Sequence, residues 1–241
     1  MEKTDRLWPG GFTFTFDSES VKPSTDSFLL GAFSTLRRGE RVCDLGAGIG
    51  LLGLLLMARE PSLSVTNIEL HEEACALARR NAEANGLDTA TLCADLRDDK
   101  AMPSAGSFDL VITNPPYFAP NSGLQAEGSR GEARCEQTAT LEDVVRCGAR
   151  LLRSGGRLAM VYRTERLAEL LQTVQRCHLE PKRLRFIQHR VDTAPSLLLL
   201  ECRKDGRPGL TAEPVLLMYR EDGSESDDLK SAYFRDKENQ L

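Results

Sequence analysis

The amino-acid sequence predicts an α/β protein with a doubly wound, mostly parallel sheet and an antiparallel hairpin at one edge. Three observations carry that expectation. Short apolar runs trade places with amphipathic stretches along most of the 241 residues, the alternation that builds parallel sheets through helical crossovers. The first run of the sheet, RVCDLG, ends in a glycine-rich turn. The last two runs, LEPKRLRFIQHR and PSLLLLECRKDG, follow one another with no helical stretch between them, so they pair antiparallel.

In chain order, GFTFTF places Phe12, Phe14 and Phe16 at a two-residue period, as in a strand or hairpin arm. STDSFLLGAFSTLRRG opens with the capping residues Ser24, Thr25 and Asp26 and closes at Gly39, so a helix is expected across it. RVCDLG is the first strand of the sheet, IGLLGLLLMARE a helix, LSVTNIEL a strand, and HEEACALARRNAEANG an amphipathic helix stopped by Gly86. TATLCADL and FDLVITN are further strands. TLEDVVRCGARLLRSGG is a helix expected to end at its two glycines, RLAMVYR a strand, and TERLAELLQTVQRCH a helix. LTAEPVLLMYREDG adds a small strand, and SESDDLKSAYFRDKENQL is polar enough for its end to be disordered. The chain divides into an N-terminal extension over residues 1–40, a main domain over 41–205 and a C-terminal extension over 206–241.

A hydrophobic fraction of 41% with 28% charged residues is that of an ordinary globular chain with one sizeable core. No apolar run approaches the roughly 18 residues that span a bilayer, which argues against a membrane protein and, with the polar start after Met1, predicts a cytoplasmic one. The cysteines are scattered, with no CxxC pair and no histidine cluster nearby. They read as structural thiols in a reducing compartment, and no metal site is expected. Net charge is −5 but unevenly spread: residues 121–220 carry 17 basic and 12 acidic side chains, against 11 and 17 over residues 1–120. Lys182, Arg183, Arg185 and Arg190 share one strand-like stretch, with Arg130, Arg134, Arg146, Arg150 and Arg153 in the same segment. Such asymmetry marks either a polyanion-facing surface or a solvated face.

DLGAGIG, Asp44 to Gly50, connects the first sheet strand to the next helix. Gly46, Gly48 and Gly50 let backbone come close to a ligand at the switch point where open α/β sheets bind. Plain turn chemistry also explains a glycine loop standing alone. The nicotinamide-dinucleotide fingerprint G-x-G-x-x-G fits less well, because the third glycine arrives one residue early. Two acids at later strand ends add to the loop. Glu69 ends VTNIEL, 19 residues past Gly50, where a carboxylate accepts from both hydroxyls of a ribose. Asp95 ends LCADL one strand on, placed to accept from the amino group of an adenine. Either acid alone reads as a helix cap or loop residue. At three successive strand ends, loop and acids outline a nucleoside-shaped crevice. A fourth strand end carries NPPY, Asn114 to Tyr117, where an apolar run is cut off by a polar residue, two prolines and an aromatic.

DLGAGIG, Glu69, Asp95 and NPPY together resemble the class I S-adenosylmethionine-dependent methyltransferases, in the branch that methylates amino groups conjugated to a π-system. The motifs span residues 43–117, and the strand pattern extends the likeness over most of the chain. The resemblance implies a Rossmann-like methyltransferase sheet and S-adenosyl-L-methionine as cofactor. It also implies a cofactor-facing set of Asp44, Gly46, Ala47, Gly48, Glu69, Leu70, Asp95, Leu96 and Asn114. Asn114, Pro115, Pro116 and Tyr117 then form the catalytic loop. The Asn114 side-chain oxygen and the Pro115 carbonyl accept the two N–H groups of an amine whose lone pair is delocalised into its ring. The prolines stiffen the loop, and Tyr117 stacks on the target.

Methyltransferases with this loop act on nucleic-acid adenine N6 or guanine N2, or on protein glutamine N5. Only about 40 residues precede the glycine loop, too few for the helical substrate domain that release-factor glutamine methyltransferases carry there. Little chain follows residue 205 to build the recognition domain of the DNA enzymes. The best-fitting members are small bacterial tRNA adenine-N6 methyltransferases acting beside the anticodon. GFTFTFDSESVKPSTDSFLLGAF resembles their start, and GEAR and KDGRPGL their later segments. The expected partner is RNA, with tRNA first. The expected substrate contacts are Phe118, Arg130, Arg134, Lys182, Arg183 and Arg185. Protein glutamine methylation, an rRNA substrate, and a binding module that keeps the fold without turnover are the alternatives. Retention of both the asparagine and the glycine loop speaks against the last.

Overall fold

The computed structural model describes residues 1–18, 23–116 and 139–236. Strands β1 (Glu2–Arg6) and β2 (Thr13–Asp17) pair antiparallel as a separate ribbon. The main sheet contains β3 (Arg41–Leu45), β4 (Ser64–Glu69), β5 (Ala90–Cys93), β6 (Phe108–Thr113), β7 (Leu152–Arg163), β8 (Leu179–Gln188) and β9 (Leu197–Lys204), with the short β10 (Thr211–Ala212) and β11 (Leu216–Leu217). Its order is β10-β8-β9-β7-β6-β3-β4-β5, and β11 also lies on β8. Strands β5, β4, β3, β6 and β7 run parallel, and β9 turns back antiparallel between β7 and β8. The doubly wound sheet with an antiparallel hairpin at one side is therefore present as expected. Both β10 and β11 run parallel to β8 and extend that edge.

Helices α1 (Thr25–Phe33), α2 (Leu51–Arg59), α3 (Glu72–Ala84) and α6 (Asp227–Ala232) cover one face of the sheet, and α4 (Leu141–Leu151) and α5 (Leu167–Arg176) the other. Period-two alternation within single strands feeds both cores. On β6, Leu110 and Ile112 pack with the α1–α2 side while Val111 packs with α4 and α5; on β9, Leu199 and its neighbours Leu198 and Leu200 divide in the same way. Leu110, Val111 and Ile112 have no exposed surface, which stabilises the fold by about 1.5–3 kcal/mol per side chain. This apolar run anchors the strand that ends at Asn114.

Three boundaries differ from the sequence expectation. Helix α1 stops at Phe33 rather than Gly39, because Ser34 turns to extended backbone and its hydroxyl donates to the Leu30 carbonyl at 2.7 Å. Strand β5 stops at Cys93, so Asp95 stands just beyond the strand rather than at its last position. Helix α4 ends at Leu151, and the two glycines lie inside β7. Between the Phe108–Leu152 and Leu110–Arg157 pairs β7 carries extra residues, a bulge that holds Gly155 at φ +74. A Cβ on Gly156 would stand 2.9 Å from the Arg153 carbonyl oxygen, so the bulge has no room for a side chain there.

The N-terminal ribbon docks through two asparagines. Asn81 on α3 and Asn85, the residue that caps its C-terminus, present carboxamides to Thr15 and Thr13 on β2. Asn81 accepts from Thr15 N–H at 2.7 Å and donates to the Thr15 carbonyl at 3.0 Å, and Asn85 does the same for Thr13, both at 2.7 Å. Each carboxamide thus substitutes for a peptide of a neighbouring strand. Asn81 also donates to the Ile49 carbonyl in the glycine loop at 3.0 Å, so ribbon, helix and loop share one side chain. The α1–β3 connection is tied down by buried charge. Arg157 donates to Glu40 at 2.8 Å and to the Thr35 carbonyl at 3.0 Å, and Glu201 accepts from the backbone and hydroxyl of Thr35. Breaking such a pair leaves a buried charge without its partner, at a cost of about 3–5 kcal/mol.

Candidate active site

The glycine loop folds over the end of β4. Gly46 and Ala47 both donate their N–H to the Ile68 carbonyl, at 2.8 and 3.0 Å, and Gly48 N–H donates to Glu69 Oε2 at 2.9 Å. Left-handed backbone at Gly46, Gly48 and Gly50 makes the turn possible. These glycines do different work. A Cβ on Gly46 would meet no protein atom within 4 Å, whereas one on Gly50 would meet Ala78 Cβ and Asn67 Nδ2 at 3.3 Å. Gly46 therefore presents bare backbone to open space, and Gly50 lets α3 pack against the loop.

Glu69 Oε1 accepts from the backbone N–H groups of Leu70 and His71, both at 2.9 Å. With Gly48, three backbone donors orient this carboxylate, and Oε2 keeps further acceptor capacity toward a hydroxyl. Asp95 is clasped by Arg97, whose Nε and Nη2 reach both carboxylate oxygens at 2.6–3.0 Å. The hydrogen bonds from Arg97 hold the Asp95 carboxyl below the usual carboxylate range. An amino group approaching Asp95 shares it with that guanidinium.

Asn114 follows β6 directly. The hydroxyl of Thr113 donates to the Leu45 carbonyl at 2.7 Å and fastens the end of β6 to the end of β3 beside the glycine loop. The Asn114 Nδ2 lies 3.2 Å from Ser24 Oγ and 3.1 Å from Ser27 Oγ, in the first turn of α1. A cavity of about 270 Å³ opens among these elements. Its walls include Gly46, Glu69, Leu70, Asp95, Leu96, Asn114, Pro115 and Pro116, with Ile68 and Val144 as apolar surface. An amine-accepting acid, a hydroxyl-accepting acid, flanking aliphatics and exposed glycine backbone fit a nucleoside-bearing cofactor.

Not every expected residue reaches this cavity. Asp44 has no exposed surface and points beneath the loop, where Oδ2 accepts Gly53 N–H at 3.3 Å and Oδ1 has no hydrogen-bond partner. Ala47 and Gly48 contribute loop backbone behind the wall. Tyr117, Phe118, Arg130 and Arg134 lie outside the described residues. The basic strand departs most from expectation. Arg185 is level with the Asn114 end of β6 in register but three strands away, roughly 14 Å at ~4.8 Å per strand. Arg183 stacks over Phe33 at 4.3 Å and pairs with Glu213 at 2.6 Å and Glu201 at 3.4 Å. Arg185 pairs with Asp228 at 2.7 Å, and Lys182 donates to the Arg207 carbonyl. Arg183 and Arg185 thus have carboxylate partners within the fold, and none of the three side chains lies on the cavity wall. No local signal marks His71 or Thr113 as site residues. Ser24 reads as a helix cap, and the family resemblance places the Thr25-Asp26-Ser27 turn beside the cofactor, but nothing in the neighbourhood of either serine points to Asn114. Among the described residues no helix is long and apolar enough to cross a membrane, and no cluster of three or more His, Cys, Asp or Glu is suited to a metal.

Solved structures share the fold. A structure described as a predicted O-methyltransferase, protein Atu636 from Agrobacterium tumefaciens, superposes with a TM-score of 0.70 at 27% identity, covering 86% of this chain and 96% of that one. The fold is shared with the Thermus thermophilus 16S rRNA N2 G1207 methyltransferase in complex with AdoMet and guanosine, at TM-score 0.57 and 22% identity, over 85% of this chain and 50% of that one. The protein is an S-adenosyl-L-methionine-dependent methyltransferase. Sequence comparison supplies the family: the model of the methyltransferase small domain matches residues 16–187, and the chain belongs to that family. Among its relatives are proteins named tRNA1(Val) (adenine(37)-N6)-methyltransferase. The one from Tolumonas auensis is 31% identical over 88% of this chain and 91% of its own length. The one from Dickeya chrysanthemi is 33% identical over 73% and 72%.

Proposed function

We propose that this enzyme methylates the N6 amino group of an adenosine in tRNA, beside the anticodon, in the cytoplasm. The observation that supports it most is Asn114-Pro115 at the end of β6, on the wall of the same cavity as Gly46, Glu69 and Asp95. The bound cofactor supplies an electrophilic methyl group on sulfonium sulfur. Gly46 gives its methionine part backbone clearance, Glu69 takes the ribose hydroxyls, and Asp95 with Leu96 meets the cofactor adenine. At the other end of the cavity, the Asn114 side-chain oxygen and the Pro115 carbonyl accept the two N–H groups of the target. These bonds pull the amino nitrogen out of conjugation and aim its lone pair at the methyl carbon. Pro115 and Pro116 fix φ, which keeps both acceptors in place before the target arrives. The bound cofactor would give up its methyl to the nitrogen held by Asn114 and Pro115, leaving its sulfur as a neutral thioether, and the amine would release one proton to solvent.

An adenine stacked in an RNA loop must turn out to reach these acceptors, with Tyr117 and Phe118 as its stacking surface. Arg130 and Arg134 are assigned to the neighbouring phosphates. The names of the relatives support tRNA as the substrate over the alternatives. Methyl transfer from labelled cofactor onto total tRNA, total rRNA and a protein extract, run in parallel, tests this. Label in tRNA adenosine N6 is the expected result. Label confined to protein glutamine or to rRNA overturns it.

A further inference from the structure

The carboxamide of Asn114 is gripped by residues 90 and 87 positions earlier in the chain, Ser24 and Ser27. Their hydroxyl oxygens stand 3.2 Å apart, and Ser24 Oγ also accepts the Ser27 N–H at 3.3 Å as the cap of α1. A carboxamide nitrogen is a donor and not an acceptor, and here both hydroxyls stand on the Nδ2 side. The two ends of an asparagine side chain are nearly equal in shape but opposite in hydrogen-bonding sense. Turned the wrong way, the NH2 end would set donor against donor at a target amine. With Nδ2 on the α1 side, the carbonyl oxygen is directed away from that helix.

We propose that Ser24 and Ser27 are positioning residues for methyl transfer, holding the Asn114 carboxamide with its nitrogen toward α1 and its oxygen toward the target amine. The proposal rests on the reading of Asn114 as an acceptor for that amine. The holding turn is itself braced. Thr25 Oγ1 and Tyr233 Oη lie 2.8 Å apart, and the Tyr233 ring stacks on Phe28 at 4.2 Å and 13°. Tyr233 directly follows α6, so segments from both ends of the chain meet beside the acceptor. From the sheet side, the Thr113–Leu45 hydrogen bond sets where the Asn114 backbone stands. Backbone and side chain are thus located by different elements, β6 and α1. Such support fixes an acceptor to the fraction of an ångström that an in-line transfer requires.

Ser27→Ala is the informative change, because alanine is the best helix former and α1 keeps its first turn. Losing one such hydrogen bond is expected to lower kcat about tenfold, with cofactor Kd within about twofold and Tm unchanged. Ser24→Ala should lower kcat similarly, and Ser24→Thr, which keeps hydroxyl and cap, should restore it. In an Asn114→Ala background, Ser27→Ala should have no further effect, since it acts only through the missing carboxamide. The nitrogen-15 amide signals of Asn114 read the contact without any substrate: their hydrogen exchange should be slow in the native protein and faster in Ser27→Ala. Unchanged kcat, or a loss that adds to that of Asn114→Ala, refutes the positioning role. Exchange indifferent to both serine substitutions refutes it whatever the substrate is. If exchange responds as expected while the native protein leaves RNA unmethylated, the serine contact stands and the substrate reading falls.

Discussion

Asp44 should make stability depend on pH in the direction opposite to ordinary acid unfolding, and replacing it by asparagine should remove that dependence. Asp44 is fully buried beneath the glycine loop, with Gly53 N–H as the hydrogen-bond donor to one oxygen and none to the other. Burial pushes its carboxyl up to about 7; the Gly53 hydrogen bond opposes that rise and the nearby Glu69 charge adds to it. In the unfolded chain the group titrates near 3.9. Between about pH 4 and pH 7 the folded state therefore binds more protons than the unfolded state, and this group's contribution to stability falls as pH rises through that window. A gap of roughly three pH units at ~1.36 kcal/mol per unit makes the contribution about 4 kcal/mol across the window. Asparagine keeps an acceptor for Gly53 and cannot ionise. The Asp44→Asn variant should gain on the native protein by a few kcal/mol between about pH 5 and pH 8. Urea denaturation at intervals across that range measures the difference, and groups common to both proteins cancel. A constant difference in stability at every pH would refute the reasoning.

Asn114→Ala should leave cofactor affinity within a few-fold, by calorimetry, while methyl transfer falls about 100-fold or more, as for other lost transition-state hydrogen-bonding groups; near-normal turnover would remove Asn114 from the chemistry. Glu69→Ala should weaken S-adenosyl-L-methionine by about 1.5–3 kcal/mol, the range for hydrogen bonds to a charged group, and equal affinity would take Glu69 out of the site. Asn81→Ala strips partners from Thr15 and Ile49 and should cost about 1–3 kcal/mol, with faster hydrogen exchange along β2; full protection of the Thr15 amide would contradict the docking role. Arg183→Gln should lower Tm and leave the salt dependence of RNA binding unaltered. A slope flatter by about one unit would instead put Arg183 on the phosphate surface.

Some of this protein was determined by the sequence alone. The order of strands and helices from β2 to β9, the burial of Leu110, Val111 and Ile112, the turn at Gly46 to Gly50 and the cap at Ser24 all follow from side-chain period and local turn chemistry, which act over a few residues. So does the placing of Glu69 and Asn114 at the ends of β4 and β6, the two strands that flank β3. Where local rules compete, the sequence was ambiguous: two glycines can end a helix or fill a bulge, and in β7 the pairing with β6 decided for the bulge. The tertiary structure alone settled the partners. Arg183 and Arg185 look like a surface patch until Glu201, Glu213 and Asp228 are brought against them. The carboxamides of Asn81 and Asn85 meet a strand 66 and 72 residues away, and that of Asn114 meets hydroxyls 87 and 90 residues away. A hydrogen bond depends on distance and direction in space, and neither is encoded by the residues next to it in the chain.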